Sequence, residues 1–160
     1  MKSAPIQLIS LFFTDIRISA LPKHNAADFN RYDLDVKTEV LAMSPDKPKA
    51  RSVLLSIKIK PDDGAALAYI GEISLFGSFA VAETWDENRI EQLVYVNGSG
   101  MLYAAAREMI CAITARGPWP MLTIPSWSFG QMFKELEEAK KKEAESAKQA
   151  PLGLTSSTLV

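Results

Sequence analysis

A chain of 160 residues has room for one domain with a proper hydrophobic core, and not for two. Its formal net charge of −1, with 48% apolar and 23% charged residues, declares neither a basic nucleic-acid-binding surface nor a strongly acidic one. The lone cysteine, Cys111, excludes an intrachain disulfide and any multi-cysteine zinc or iron–sulfur centre, and fits a reducing compartment.

At the amino end, Met1-Lys2 and the apolar stretch Ile6 to Phe13 have the outline of a secretion signal. Gln7 and Ser10 interrupt that stretch, and Asp15 and Arg17 arrive before any cleavage site. A strand over Ile6–Ala20, apolar on both faces near its middle, explains it better. No run reaches the ~20 apolar residues that a spanning helix needs. A cytoplasmic protein without membrane insertion is expected.

Tyr32, Leu34, Val36, Thr38 and Val40 then alternate with Asp33, Asp35, Lys37 and Glu39. Val53, Leu55, Ile57 and Ile59 alternate with Ser52, Leu54, Ser56, Lys58 and Lys60. A period of two puts one face in the core and the other in water. A fourth strand follows over roughly Ala66 to Ala82. The links Ser44-Pro45-Asp46-Lys47-Pro48 and Pro61-Asp62-Asp63-Gly64 are too short for parallel crossovers. A meander-like antiparallel sheet with one solvated face is expected.

The second half changes period. Thr84-Trp85-Asp86-Glu87 reads as a capping box opening a short helix, with Ile90, Leu93 and Val94 on one side. Gly98-Ser99-Gly100 reads as a break. Leu102, Ala105, Ala106, Met109, Ile110 and Ile113 then fall at helical spacing. Arg116-Gly117-Pro118 is a stop signal, with Gly117 suited to a left-handed cap. After an extended Pro-rich piece, Ser128 and Gln131 form another capping box, with Trp127 and Met132 as its staple. Phe129, Met132, Phe133 and Leu136 stripe the last helix, which continues as a solvated Glu/Lys extension. Pro151 to Val160 has no periodicity and reads as a disordered tail.

Catalytic chemistry is sparse. The single histidine, His24, lies in the loop Leu21-Pro22-Lys23-His24-Asn25, where an exposed loop residue is a better account than a catalytic base. The Gly98-Ser99-Gly100 turn lacks both the Walker lysine pattern and the dinucleotide-binding glycine spacing. No carboxylates show the spacing of an EF-hand loop. The expectation is a non-enzymatic binding protein with no cofactor, no metal and no nucleic-acid partner. Trp119 and Trp127, in the Pro-rich piece, are hard to place in a helix–sheet core and are candidates for a groove or a subunit contact.

The run Tyr103-Ala104-Ala105-Ala106-Arg107-Glu108-Met109-Ile110, followed by Ala115-Arg116-Gly117-Pro118-Trp119-Pro120-Met121-Leu122, resembles the SecB family of protein-export chaperones. Ile6 to Ile18 is similar to that family's first strand, and Tyr69-Ile70-Gly71-Glu72 with Gly77 and Phe79 to its fourth. The likeness runs from about residue 5 to 133 in one order. The chain departs from the family in being nearly neutral, in its Gly98-Ser99-Gly100 segment and in its charge-balanced tail.

The resemblance implies an α+β fold, a four-stranded antiparallel sheet with two main helices packed on one face, plus a short helix and a helical C-terminal extension. Residues 1–133 would form the chaperone domain, and 134–160 the extension and tail. It also implies an ATP-independent holding chaperone, a homotetramer built as a dimer of dimers, which binds unfolded polypeptides or preproteins and delivers them to SecA. A dedicated chaperone of an antitoxin and a non-chaperone oligomeric interaction domain are the alternatives. Carried over by position, the client groove would comprise Tyr32, Leu34, Val36, Tyr69, Phe79, Trp127 and Phe129. The SecA-docking face would comprise Asp15, Ile70 and Glu72.

Overall fold

The computed structural model describes residues 4–29, 31–44 and 46–149. The tail from Pro151 lies outside the described residues, as does Pro45 in the second strand connection. The chain divides into two compact units, Met1–Phe129 and Gly130–Val160.

The first unit contains strands β1 (Ile6–Ala20), β2 (Tyr32–Ser44), β3 (Lys47–Pro61) and β4 (Tyr69–Val81), all pairing antiparallel. Strands β2, β3 and β4 form the expected meander. Strand β1, however, pairs with β4, so the order is β1-β4-β3-β2, a Greek-key arrangement rather than a simple meander. Residues 21–29 lead from β1 across the end of the sheet. They are tied to the β3–β4 link by Leu21 N–H to Ala68 O (2.9 Å) and Asn25 N–H to Ala66 O (3.0 Å). Asp28 accepts the Ala66 N–H at 3.1 Å and Arg31 Nη1 at 3.0 Å.

Two register shifts explain why β1 is apolar on both faces. They fall between Leu8 and Ser10 and between Phe13 and Asp15. Each extra residue reverses the side-chain phase. Ile6 and Leu8, then Leu11 and Phe13, then Ile16 and Ile18 are therefore opposite the odd-numbered residues of β4 from Val81 to Gly71. The bulges keep one face apolar through a sequence whose alternation is broken.

The core lies between that face and the helices. Helix α1 (Ile90–Leu93), a single π-turn (Val94–Gly98) and helix α2 (Ser99–Thr114) form one continuous helical run. Val53, Leu55, Ile57, Ile73, Leu75 and Phe79 of the sheet meet Ile90, Val94, Leu102, Ala106 and Ile110, all essentially inaccessible. Each large side chain so buried contributes ~1.5–3 kcal/mol.

Three local expectations are corrected. The cap before the helical run is Asp86, whose side chain accepts the Asn88 N–H at 3.0 Å, and not Thr84. Gly98 is helical and marks no break; a Cβ there would lie 3.3 Å from both the Phe79 ring and Val53 Cγ2. Its small size lets the helix approach the sheet. Gly117 does not adopt a left-handed conformation, since Gly64 is the only described residue with positive φ. A Cβ on Gly117 would lie 2.4 Å from Tyr69 Oη. Close approach, not backbone handedness, selects glycine there.

Helix α3 (Phe129–Gln149) opens at the end of the first unit and makes up the described part of the second. Its start, one residue after Ser128, agrees with the sequence. Within it Gln131 Nε2 donates to Glu135 at 2.9 Å and Lys140 lies 3.7 Å from Glu137.

Candidate functional site

The Pro-rich piece between α2 and α3 is extended from Pro120 to Ser128, and its backbone is held by side chains rather than by a neighbouring strand. Burial alternates along it: Leu122 and Ile124 point into the core, while Met121, Thr123 and Pro125 face outward. Thr114 Oγ1 accepts the Leu122 N–H at 3.0 Å. Tyr32 donates to Thr123 O at 3.2 Å, Arg107 Nε to Ile124 O at 2.9 Å and Tyr103 to Pro125 O at 2.8 Å. Successive carbonyls of one segment are thus bound from β2 and α2. Such a segment keeps its shape while its outward side chains stay exposed.

Two large apolar side chains stand on its outward side. Met121 is 50% exposed and Trp127 36%. The Trp127 ring lies 6.4 Å from Tyr103, and Phe129, which is buried, meets Tyr103 edge-on at 5.7 Å. Burial drives the Tyr103 hydroxyl up to about 12, against the pull of the Arg107 charge and with a small push from Tyr32. Tyr32 is raised as well, by burial first, with Arg107 opposing. Both hydroxyls therefore remain donors to the extended segment throughout the physiological range.

Of the residues expected to line a groove, the structure brings Tyr32, Trp127 and Phe129 together around Tyr103 and Arg107. Leu34 and Val36 follow Tyr32 along the same face of β2, with Val36 largely buried. Tyr69 and Phe79 are 4% and 0% exposed and belong to the core in this chain. Phe79 packs between sheet and helix, where Gly98 meets it. Tyr69 spends its hydroxyl on the α2 terminus, 2.9 Å from Trp119 O and accepting the Trp119 N–H at 3.1 Å. Trp119 is fixed elsewhere: its indole donates to Leu21 O at 2.9 Å and its ring lies 4.1 Å from His24. The sequence did not single out Tyr103 and Arg107 as holding the extended segment, because helical periodicity counts them only as helix. Their spacing of four does place them on one face.

The other face of the sheet carries Asp15, Ile70 and Glu72 together. The acids are not free. Arg17 lies 2.7 Å from Asp15 and 2.9 Å from Glu72, and Lys58 lies 3.5 Å from Glu72. Through the strand register, Arg17, Glu72, Lys58 and Asp35 form one row of alternating sign. A parallel row is apolar over three strands: Phe12, 57% exposed, stacks on Phe76 at 6.3 Å, and Leu54 follows at 37% exposed before Glu39 of β2 ends the row. Among the described residues no three His, Cys, Asp or Glu side chains cluster as metal ligands.

The family described as preprotein translocase subunit SecB matches residues 5–140. The chain belongs to the SecB family. The match takes in the whole sheet, the helical run, the extended segment and the first half of α3.

Among SecB relatives, the protein-export protein SecB of Psychrobacter cryohalolentis is 27% identical over 93 residues, 58% of this chain and 61% of that one. The protein-export protein SecB of Rhizobium johnstonii is 31% identical over 83 residues, 52% of this chain and 51% of its own length. The chain thus spans about half to three-fifths of the curated relatives it matches. The fold is shared with the Mycobacterium tuberculosis Rv1957 SecB-like chaperone, solved with a ChAD peptide from the Rv1956 HigA1 antitoxin. The TM-score is 0.60 at 19% identity, covering 78% of this chain and 91% of the other. The SecB fold thus holds here with a sheet face whose acids are ion-paired.

Proposed function

We propose that this SecB-family chain is an ATP-independent holding chaperone that grips nonnative polypeptides along the extended segment 120–128. The observation that carries this is the pair of outward side chains Met121 and Trp127, exposed on a backbone clamped by Tyr32, Arg107 and Tyr103. A clamped apolar ledge meets a client without first having to be ordered, which reduces the cost of binding. Methionine and aromatics suit many client sequences, because one adapts and the other offers broad contact.

Magnitudes favour an oligomer. Micromolar binding needs ~8 kcal/mol net, and each large apolar side chain fully buried contributes ~1.5–3 kcal/mol. Several client side chains must be covered at once, and repeated subunits supply that through multivalency. We propose a homotetramer, a dimer of dimers, which buries the unpaired edge strand β1. Its Leu8, Ile9, Phe12 and Ile16 are 40%, 64%, 57% and 41% exposed, an apolar edge of the kind natural sheets cover.

The assembly would work in the cytoplasm on preproteins and pass them to SecA from the sheet face around Asp15, Ile70 and Glu72, without catalysing a reaction. One observation favours a second reading. With Arg17 and Lys58 paired to those acids, the face offers little unbalanced negative charge to a basic partner. A chaperone devoted to a restricted client, such as an antitoxin, has no need of that dock. Direct binding of purified SecA separates the two: the export reading predicts association lost on Glu72→Lys with holding retained. No association with the unsubstituted protein, alongside normal holding, supports the dedicated chaperone.

A further inference from the structure

A cleft of about 270 Å³ lies at the start of the helical run, lined by Trp85, Arg89, Gln92, Leu93, Val96 and Asn97. One wall comes from the turn and 3₁₀ helix that precede α1; the other is α1 and the π-turn. Single π-turns inside helices lie disproportionately at functional sites. The Trp85 indole N–H is shut off from solvent and has no hydrogen-bond partner among the described residues. Leaving a buried donor unmade costs more than an ordinary hydrogen bond gains, so native chains keep few such groups without a use. The Arg89 guanidinium lies 5.9 Å over the indole ring, and none of the lining residues is a carboxylate. Asn97 and Gln92 add amides at the rim, where Asn97 Nδ2 donates to Leu93 O at 3.0 Å and keeps a second hydrogen. Leu93 and Val96 supply an apolar wall.

We propose that this cleft binds a carboxylate carried on a compact apolar body. Its lining offers a guanidinium with no carboxylate partner among the described residues, and several donors beside two aliphatic side chains, so charge and hydrogen-bonding capacity both favour an anionic acceptor. The volume is below the usual range for drug-sized ligands, which limits the occupant to a small acid or to an acidic–apolar pair of residues in a partner chain. Trp85 sits in a surface turn, and binding would require the indole to tilt so that its N–H meets the carboxylate. The site is built on other elements than the ledge around Trp127 and does not depend on the holding function.

The test follows the Trp85 indole resonance of the full-length ¹⁵N-labelled protein, assigned by its loss in Trp85→Phe. N-acetyl-leucine supplies a free carboxylate, acetyl-aspartyl-leucinamide a side-chain carboxylate within a chain, and N-acetyl-leucinamide none. We expect a saturable shift with at least one acid and a response at least about tenfold weaker with the amide. Arg89→Gln and Gln92→Glu, with unchanged circular dichroism, each weaken the acid by a similar factor. The tighter of the two acids tells a free metabolite-like ligand from an acidic residue of a partner. No saturable shift with either acid, an equal response to the amide, or indifference to both substitutions overturns the proposal.

Discussion

Trp127 stands on a clamped backbone with a third of its surface in water, so its contribution to folding is small, and under the proposed function its contribution is to client contact. Trp127→Ser should weaken suppression of client aggregation several-fold. Thermal unfolding should show a stability loss of about 1 kcal/mol, typical of a partly exposed site. A collapse of the fold instead would make Trp127 a core residue. Tyr103 is the opposite kind of residue, buried and spent on Pro125 O. Its folded value, about 12, is raised above the 10.0 of an unperturbed tyrosine. Its stabilising contribution is therefore complete below pH 10 and lost as pH rises toward 12, with Tyr32 acting in the same direction. Unfolding free energies across that window should fall with pH, and fall less steeply in Tyr103→Phe, which at neutral pH costs roughly 1–2 kcal/mol for the orphaned carbonyl. Asp28 has the reverse sign. It is lowered chiefly by the Ala66 N–H, so its contribution is present above 3.8 and lost as pH falls through its folded value.

At the scale of elements, alternation made β2 and β3 legible, because residues 32–40 and 52–60 each keep one phase against one buried face. Strand β1 was legible as a strand but not in its partner. Its two bulges scramble the phase, and the choice of β4 over β2 depends on contacts far away in sequence. The helix boundary at Gly117 was read correctly for the wrong reason. A left-handed cap would accept asparagine more readily than alanine, whereas the Tyr69 hydroxyl in contact penalises any Cβ and penalises the larger side chain more. Gly117→Ala should cost about 1–3 kcal/mol and Gly117→Asn more. Denaturant titration of the two variants decides between the accounts. The irregular, extended course of the segment that carries Trp127 was legible because prolines keep it out of regular structure. The hold of Tyr103 and Arg107 on that segment was not legible, because it comes from where residues 123–125 return across α2.

For the molecule as a whole, exposed Leu8, Ile9, Phe12 and Ile16 on an edge strand predict self-association. Ile9→Lys with Phe12→Lys should lower the mass measured by light scattering and reduce holding through loss of multivalency. An unchanged mass would move the interface elsewhere. If apolar ledges on the assembled subunits grip loose chains, the purified full-length protein should hold back aggregation of a chemically denatured client diluted into it without nucleotide. Suppression should saturate near one client per oligomer and be weakened by Trp127→Ser. Aggregation proceeding at the rate seen without the protein would contradict it.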